Sequence, residues 1–173
     1  SNYVPSDEPV AQGFLCYKAG MTHIIAKDLD KTSLTHNMEV QIPVTILDCP
    51  PLTVFGLRAY VKGYEGPEPF TEIYSEKLDK DLATAMQIPK EIKNADKEKK
   101  INDNMSYIIK FVLLVHTQPK KSGIGKKKPE VMEVGIGGDV AAQLAYAKGM
   151  LGKEISIKDI FNETDFIDII AVT

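Results

Sequence analysis

Five lysines fall within nine residues of this chain. The run Lys120-Lys121-Ser122-Gly123-Ile124-Gly125-Lys126-Lys127-Lys128 holds five positive charges and no negative one. Pro119 and Pro129 bound it, and Gly123 and Gly125 give it freedom. A loop of this kind concentrates positive potential and suits phosphate groups. The alternative is an ordinary solvated basic loop, and composition leaves both readings open. Lys18 and His23, near the start of the chain, would add to such a site if folding brings them close.

Other chemistries find little support. The three histidines, His23, His36 and His116, show no H-E-x-x-H spacing, and there is no C-x-x-C, so a zinc site is not expected. No G-x-S-x-G nucleophile turn occurs, and the carboxylates are scattered, so no acid–base pair stands out. Gly123-Ile124-Gly125-Lys126-Lys127 resembles the end of a phosphate loop, but its first glycine would fall at Lys120 and Lys127 replaces the magnesium-binding Ser/Thr. In Gly135-Ile136-Gly137-Gly138-Asp139-Val140, Val140 stands where a dinucleotide fingerprint needs its third glycine, and Asp139 would repel a pyrophosphate. That segment reads as a plain strand-to-helix turn. Cys16 and Cys49 cannot build a disulfide framework, and each lies in an apolar stretch, so both are expected to be buried and inert.

The 173 residues are 43% apolar and 26% charged, enough for a packed core and for one domain or two small subdomains. No apolar run approaches the ~18 residues of a membrane span. Ser1-Asn2-Tyr3-Val4-Pro5 lacks the regions of a secretory signal, which with the cysteine usage predicts a cytoplasmic location. The net charge of −3 argues against nucleic acid as a partner. It averages over unlike parts, however: residues 130–173 hold eight acidic residues and three lysines, and residues 76–103 hold seven of each sign.

These residues need elements to position them. Residues 1–11 read as a flexible N-terminus. Gly13 to Tyr17 and Met21 to Ile25 are short apolar runs with a turn expected at Lys18-Ala19-Gly20. Residues 39–47 alternate as a half-buried strand ended by Pro50 and Pro51. Residues 52–62 and 70–74 read as a hairpin around a Gly/Pro-rich turn. Ser75 is placed to cap a helix with Leu78, Leu82 and Met86 on one face, and residues 90–104 form a solvated helix or insert. Residues 106–116 are the strongest apolar run, a buried strand. A strand over 130–135 leads into a helix capped by Asp139, with Val140, Leu144, Ala147 and Leu151 buried and Gly152 closing it. Residues 166–172 read as a last strand. The order strand, strand, helix, strand, strand, helix over 52–151 suits an antiparallel sheet with helices on one face. The predicted fold class is α+β, mainly β: a β-barrel-like part from residues 12–51 and 152–173, with an inserted two-layer α/β sandwich over 52–151 that includes a charged helical segment, 75–104.

Gly13-Phe14-Leu15-Cys16-Tyr17-Lys18-Ala19-Gly20-Met21-Thr22-His23 resembles the signature opening of the universal large-subunit ribosomal protein three family, archaeal and eukaryotic branch. So, in order, do Pro43-Val44-Thr45-Ile46 with Pro50-Pro51-Leu52, His116-Thr117-Gln118-Pro119, Lys126-Lys127-Lys128-Pro129-Glu130-Val131-Met132-Glu133, Ile136-Gly137-Gly138-Asp139-Val140, Leu151-Gly152-Lys153-Glu154-Ile155 and Ile167-Asp168-Ile169-Ile170-Ala171-Val172-Thr173.

The resemblance implies a translation-protein-type β-barrel carrying the α/β insertion. It implies a structural constituent of the large ribosomal subunit, near the peptidyl transferase centre, and not an enzyme. The expected partners are large-subunit ribosomal RNA and neighbouring ribosomal proteins, with no membrane, small-molecule substrate, metal or cofactor, and the expected location is the cytoplasmic ribosome. Carried over by position, Lys18, His23, Lys120, Lys121, Lys126, Lys127 and Lys128 would face RNA, and Thr117 and Gln118 would hydrogen-bond phosphate or ribose. Family members carry a basic N-terminal extension and a Gly/Lys-rich continuation that this sequence lacks, so the barrel is expected to be incomplete. The competing reading is a non-ribosomal protein-interaction module using the acidic C-terminal third or the charged helical insert.

Overall fold

The computed structural model describes residues 8–89, 92 and 94–171. Most of the expected flexible N-terminus, residues 1–7, lies outside the described residues, as do positions 172–173 of the expected last strand. The chain divides into two compact units, Cys16–Cys49 and the remainder. Among the described residues, no helix is long and apolar enough to cross a membrane.

The first unit is an antiparallel hairpin of β1 (Tyr17–Lys27) and β2 (Glu39–Asp48), in register from Tyr17 opposite Asp48 to Lys27 opposite Glu39. The turn expected at Lys18-Ala19-Gly20 is a β-bulge instead, where the register shifts between Lys18 and Gly20. A local turn would form few backbone hydrogen bonds. Pairing with the whole of β2 satisfies the strand along its length, and the bulge absorbs the extra residue. The connecting loop is held by short-range bonds: the Asp28 carboxylate accepts from Thr35 Oγ1 at 2.6 Å and Asp30 N at 2.9 Å.

The second unit is built on a five-stranded antiparallel sheet. Its main path is β4 (Pro67–Tyr74), β3 (Leu52–Lys62), β5 (Ile108–His116) and β6 (Val131–Gly135), and β7 (Glu154–Ile155) pairs with β3 at Leu52 and Thr53. The hairpin and the buried strand expected from the sequence are β3–β4 and β5. Both inner strands are mostly buried on two faces, as their predominantly apolar sequences suggest. On one face Leu57, Ala59, Ile73, Phe111, Leu113 and Val115 pack with Ile101 of α1 (Asn94–Asp103) and Ala147 of α2 (Val140–Met150). On the other face Phe55 and Leu114 pack with Leu82. Gly56 has no room for a side chain, since a Cβ there would stand 2.9 Å from the carbonyl oxygen of Ile73.

Two expected elements differ. The helix placed from Ser75 through Met86 is only a short 3-10 turn, Lys80–Thr84. Ser75 still belongs to the sheet edge, its amide donating to Phe55 O at 2.8 Å. Asp79 rather than Ser75 is the N-cap, its side chain accepting from the Asp81 amide, so the helical turn starts later and stays short. Leu82 still reaches the core. Residues 166–171 have no regular structure, and Phe166 and Ile170 are fully exposed. An alternating segment becomes a strand only beside a neighbour that completes its ladder, and no described strand pairs with it.

Helix α2 follows Asp139 and ends before Gly152, which takes φ +74°, as the sequence suggests. Its buried polar residue, Gln143, accepts from the Phe111 amide at 2.9 Å and donates to Gly138 O at 2.9 Å. Phe111 lies just beyond the end of the β5–β6 ladder, so its amide would otherwise have no partner in that ladder. Gln143→Leu keeps the size but orphans that amide, and is expected to lower stability by about 1–3 kcal/mol, read as a lower urea midpoint at unchanged m-value.

Candidate nucleic-acid interface

The lysine loop joins β5 to β6, and its base is locked. Thr117 N donates to Glu130 O at 3.0 Å, and Glu130 N donates to Thr117 Oγ1 at 2.9 Å. Thr117 is therefore buried, with its hydroxyl engaged in closing the loop. His116, also buried, donates from Nδ1 to Thr117 O at 3.0 Å, since a carbonyl can only accept. Gln118 Nε2 donates to Thr53 Oγ1 at 2.7 Å and to Glu154 Oε1 at 2.8 Å. Pro119 starts a single 3-10 turn through Lys121.

Three of the five loop lysines meet acidic partners. Lys120 Nζ lies 2.7 Å from Asp81 Oδ1, and Lys121 Nζ lies 2.7 Å from Glu154 Oε1. Lys126 pairs with Glu130 one helical turn's spacing away. The hydrogen bond to Asp81, and then its charge, push the Lys120 ammonium above its ordinary value. Lys121, then Gln118, hold the Glu154 carboxyl below the usual carboxylate range. Lys127 and Lys128 are exposed, and no ion pair among the described residues reaches either. Five lysines less three partners leaves these two uncompensated. All three pairs are solvent-exposed, so screening by water and salt keeps each of them weak.

Asp81 and Glu154 were not legible as parts of this site. They lie 39 and 33 residues from the lysines they meet, and only the fold joins them. Glu130 carried a signal, the i,i+4 spacing from Lys126. Lys18 and His23 stand exposed on β1 in the hairpin unit, opposite Leu47 and Pro43. The glycine turn before α2 is already engaged: Gly137 N donates to Val10 O at 2.9 Å, and Gly138 backs onto Pro9. This agrees with its reading as a plain turn rather than a phosphate cradle.

A second polar cluster sits on the same sheet. Arg58 of β3 reaches Glu72 of β4, with Nε 2.7 Å from Oε1, and pairs as well with Glu133 of β6. Tyr60 donates to Glu133 Oε2 at 2.6 Å, and Tyr74 donates to Glu72. With both sides of its guanidinium on carboxylates, Arg58 clamps strands together and has little left for an external anion. Burial, then the bond to Glu72 and its charge, push the Tyr74 hydroxyl up to about 12. A raised folded-state value means stability present below the ordinary value of 10.0 and lost as pH climbs towards about 12. An alkaline titration of stability is expected to show this loss, and Tyr74→Phe is expected to flatten it between those limits.

A family model described as Ribosomal protein L3 matches residues 5–173. The large ribosomal subunit protein uL3 of Methanobrevibacter smithii is 41% identical over 169 residues, covering 97% of this chain and 50% of that protein. The uL3 of Methanosphaera stadtmanae is 41% identical over 175 residues, covering 100% and 52%. That of Methanococcus vannielii is 42% identical over 173 residues, covering 98% and 51%. The chain spans about half the length of the curated relatives it matches. With a family model and relatives agreeing along nearly every residue, the chain belongs to the ribosomal protein L3 family.

Proposed function

We propose that this chain is part of a structural constituent of the large ribosomal subunit that binds large-subunit ribosomal RNA and supports the architecture around the peptidyl transferase centre. Its other partners are neighbouring ribosomal proteins, its place is the cytoplasmic ribosome, and it catalyses no reaction. The observation that carries the reading is the stapled loop: a rigid base at Thr117 and Glu130 presents Lys127 and Lys128 without acidic partners. Phosphate contacts position a protein on RNA, and unpaired lysines make such contacts at least desolvation cost. Lys120, Lys121 and Lys126 join by exchanging carboxylate for phosphate, and Lys18 and His23 contribute from the hairpin. The roles of Thr117 and Gln118 in this reading are to hold the loop, through the bonds they already make.

The finer fold assignment belongs to the same proposal. In it, residues 12–51 and 152–173 belong to a translation-protein-type β-barrel and 52–151 to its α/β insert, with β7 of the 152–173 segment pairing with β3 of the insert. In support, the hairpin exposes Met21, Ile25 and Ile46, and the C-terminal segment exposes Phe166 and Ile170, apolar groups suited to further strands.

Binding to a large-subunit ribosomal RNA fragment, measured across a salt series, tests the function. The chain is expected to bind with an affinity that falls steeply with salt, and Lys127→Ala with Lys128→Ala to weaken the slope by about 2, roughly one per lysine. Lys120→Ala with Lys121→Ala is expected to have a smaller effect. Binding unchanged by loss of all five loop lysines would rule out the loop as the interface.

A further inference from the structure

The two cysteines of the chain are 33 positions apart in sequence and meet in the fold. The β1–β2 ladder ends at Tyr17 opposite Asp48, so the next residues outward on the two strands are Cys16 and Cys49. Facing residues of an antiparallel pair have Cα atoms about 4.5–5.5 Å apart, inside the roughly 4.4–6.8 Å span that a disulfide bridges. Both cysteines lie within the hairpin unit, one residue outside the last ladder pair, so each thiol sits at the base of the hairpin. Cys49 also points its sulfur at Leu47 O, 3.8 Å away. Pro50 and Pro51 follow directly and cannot extend the ladder as donors. Both thiols are only partly buried, so the expectation that they are buried does not hold.

We propose that Cys16 and Cys49 form a dithiol oxidation site that closes to an intrachain disulfide across the base of the hairpin. The oxidant is a small-molecule disulfide. One cysteine thiolate attacks a sulfur of that disulfide, forming a mixed disulfide and releasing one thiolate. The second cysteine, as its thiolate, attacks the protein sulfur of the mixed disulfide and releases the other. Two protein thiols are oxidised, one disulfide is reduced to two small thiols, and the two cysteine protons end on them. Burial and the neighbouring Cys16 push the Cys49 thiol up, which suits Cys49 to the second attack, within the protein. The bond would tie the strands where the chain enters and leaves the hairpin unit, two residues from Lys18.

The test uses the 173-residue chain equilibrated in glutathione buffers with a rising share of glutathione disulfide, quenched with acid and digested without reduction. The expected product is a monomer without free thiols that yields one cross-linked peptide joining Cys16 to Cys49. Half-oxidation is expected at a disulfide share at least about ten-fold lower for the native chain than for the chain in urea, because the fold raises the effective concentration of one thiol at the other. The proposal is overturned if the native product is a double glutathione adduct or a disulfide-linked dimer. It is equally overturned if the native chain oxidises no more readily than the urea-unfolded one.

Discussion

The register of β3 is the constraint on which the second unit depends. β3 pairs with β5 on one side and with β4 and β7 on the other, so its backbone groups are satisfied only if all three partners are in place. Pairing of Leu52 and Thr53 with β7 brings Glu154 beside the lysine loop. Thr53 itself accepts from Gln118, and Glu154 receives both Gln118 and Lys121. Further along the strand, the same register sets Arg58 opposite Glu72 and within reach of Glu133. A slip of one residue would turn Leu57 and Ala59 out of the core and break both polar clusters together.

Electrostatically the loop is a graded site rather than a uniform patch. Its base is fixed by neutral hydrogen bonds that salt does not screen. Three lysines are held by exposed carboxylates in weak pairs, and among the described residues no ion pair reaches the other two. In the proposed reading, that fixed base presents their charge to a phosphate. The net charge of −3 conceals this, because screening over roughly 10 Å makes local charge, not the total, what a phosphate meets.

Much of the fold was legible in residue patterns. The predominantly apolar runs of β3 and β5, the alternation of β2 and the helical spacing of α2 mark strands and a helix, although Ile42 and Ile46 of β2 stay exposed. The segment at 75–88 misled because its leucine and methionine spacing is helical. Instead Ser75 remains bonded to Phe55 across the sheet and the helical turn starts at the Asp79 cap, and the cross-sheet bond is one that no local pattern reports. The bulge at Lys18 and the unstructured end at 166–171 have the same origin: a strand's fate depends on its partner, and the partner is distant in sequence.

The sequence by itself determined which residues could carry positive charge, which stretches must be buried, and to which family the chain is similar. Only the tertiary structure decided which charges remain available, since Asp81 and Glu154 reach Lys120 and Lys121 across more than thirty residues. Only it decided that Thr117 closes the loop and that Cys16 and Cys49 both flank the last pair of the β1–β2 ladder. The physical reason is range. Burial and local propensity are written in neighbouring residues, whereas ion pairs and facing thiols depend on strand register, which is set by the whole sheet.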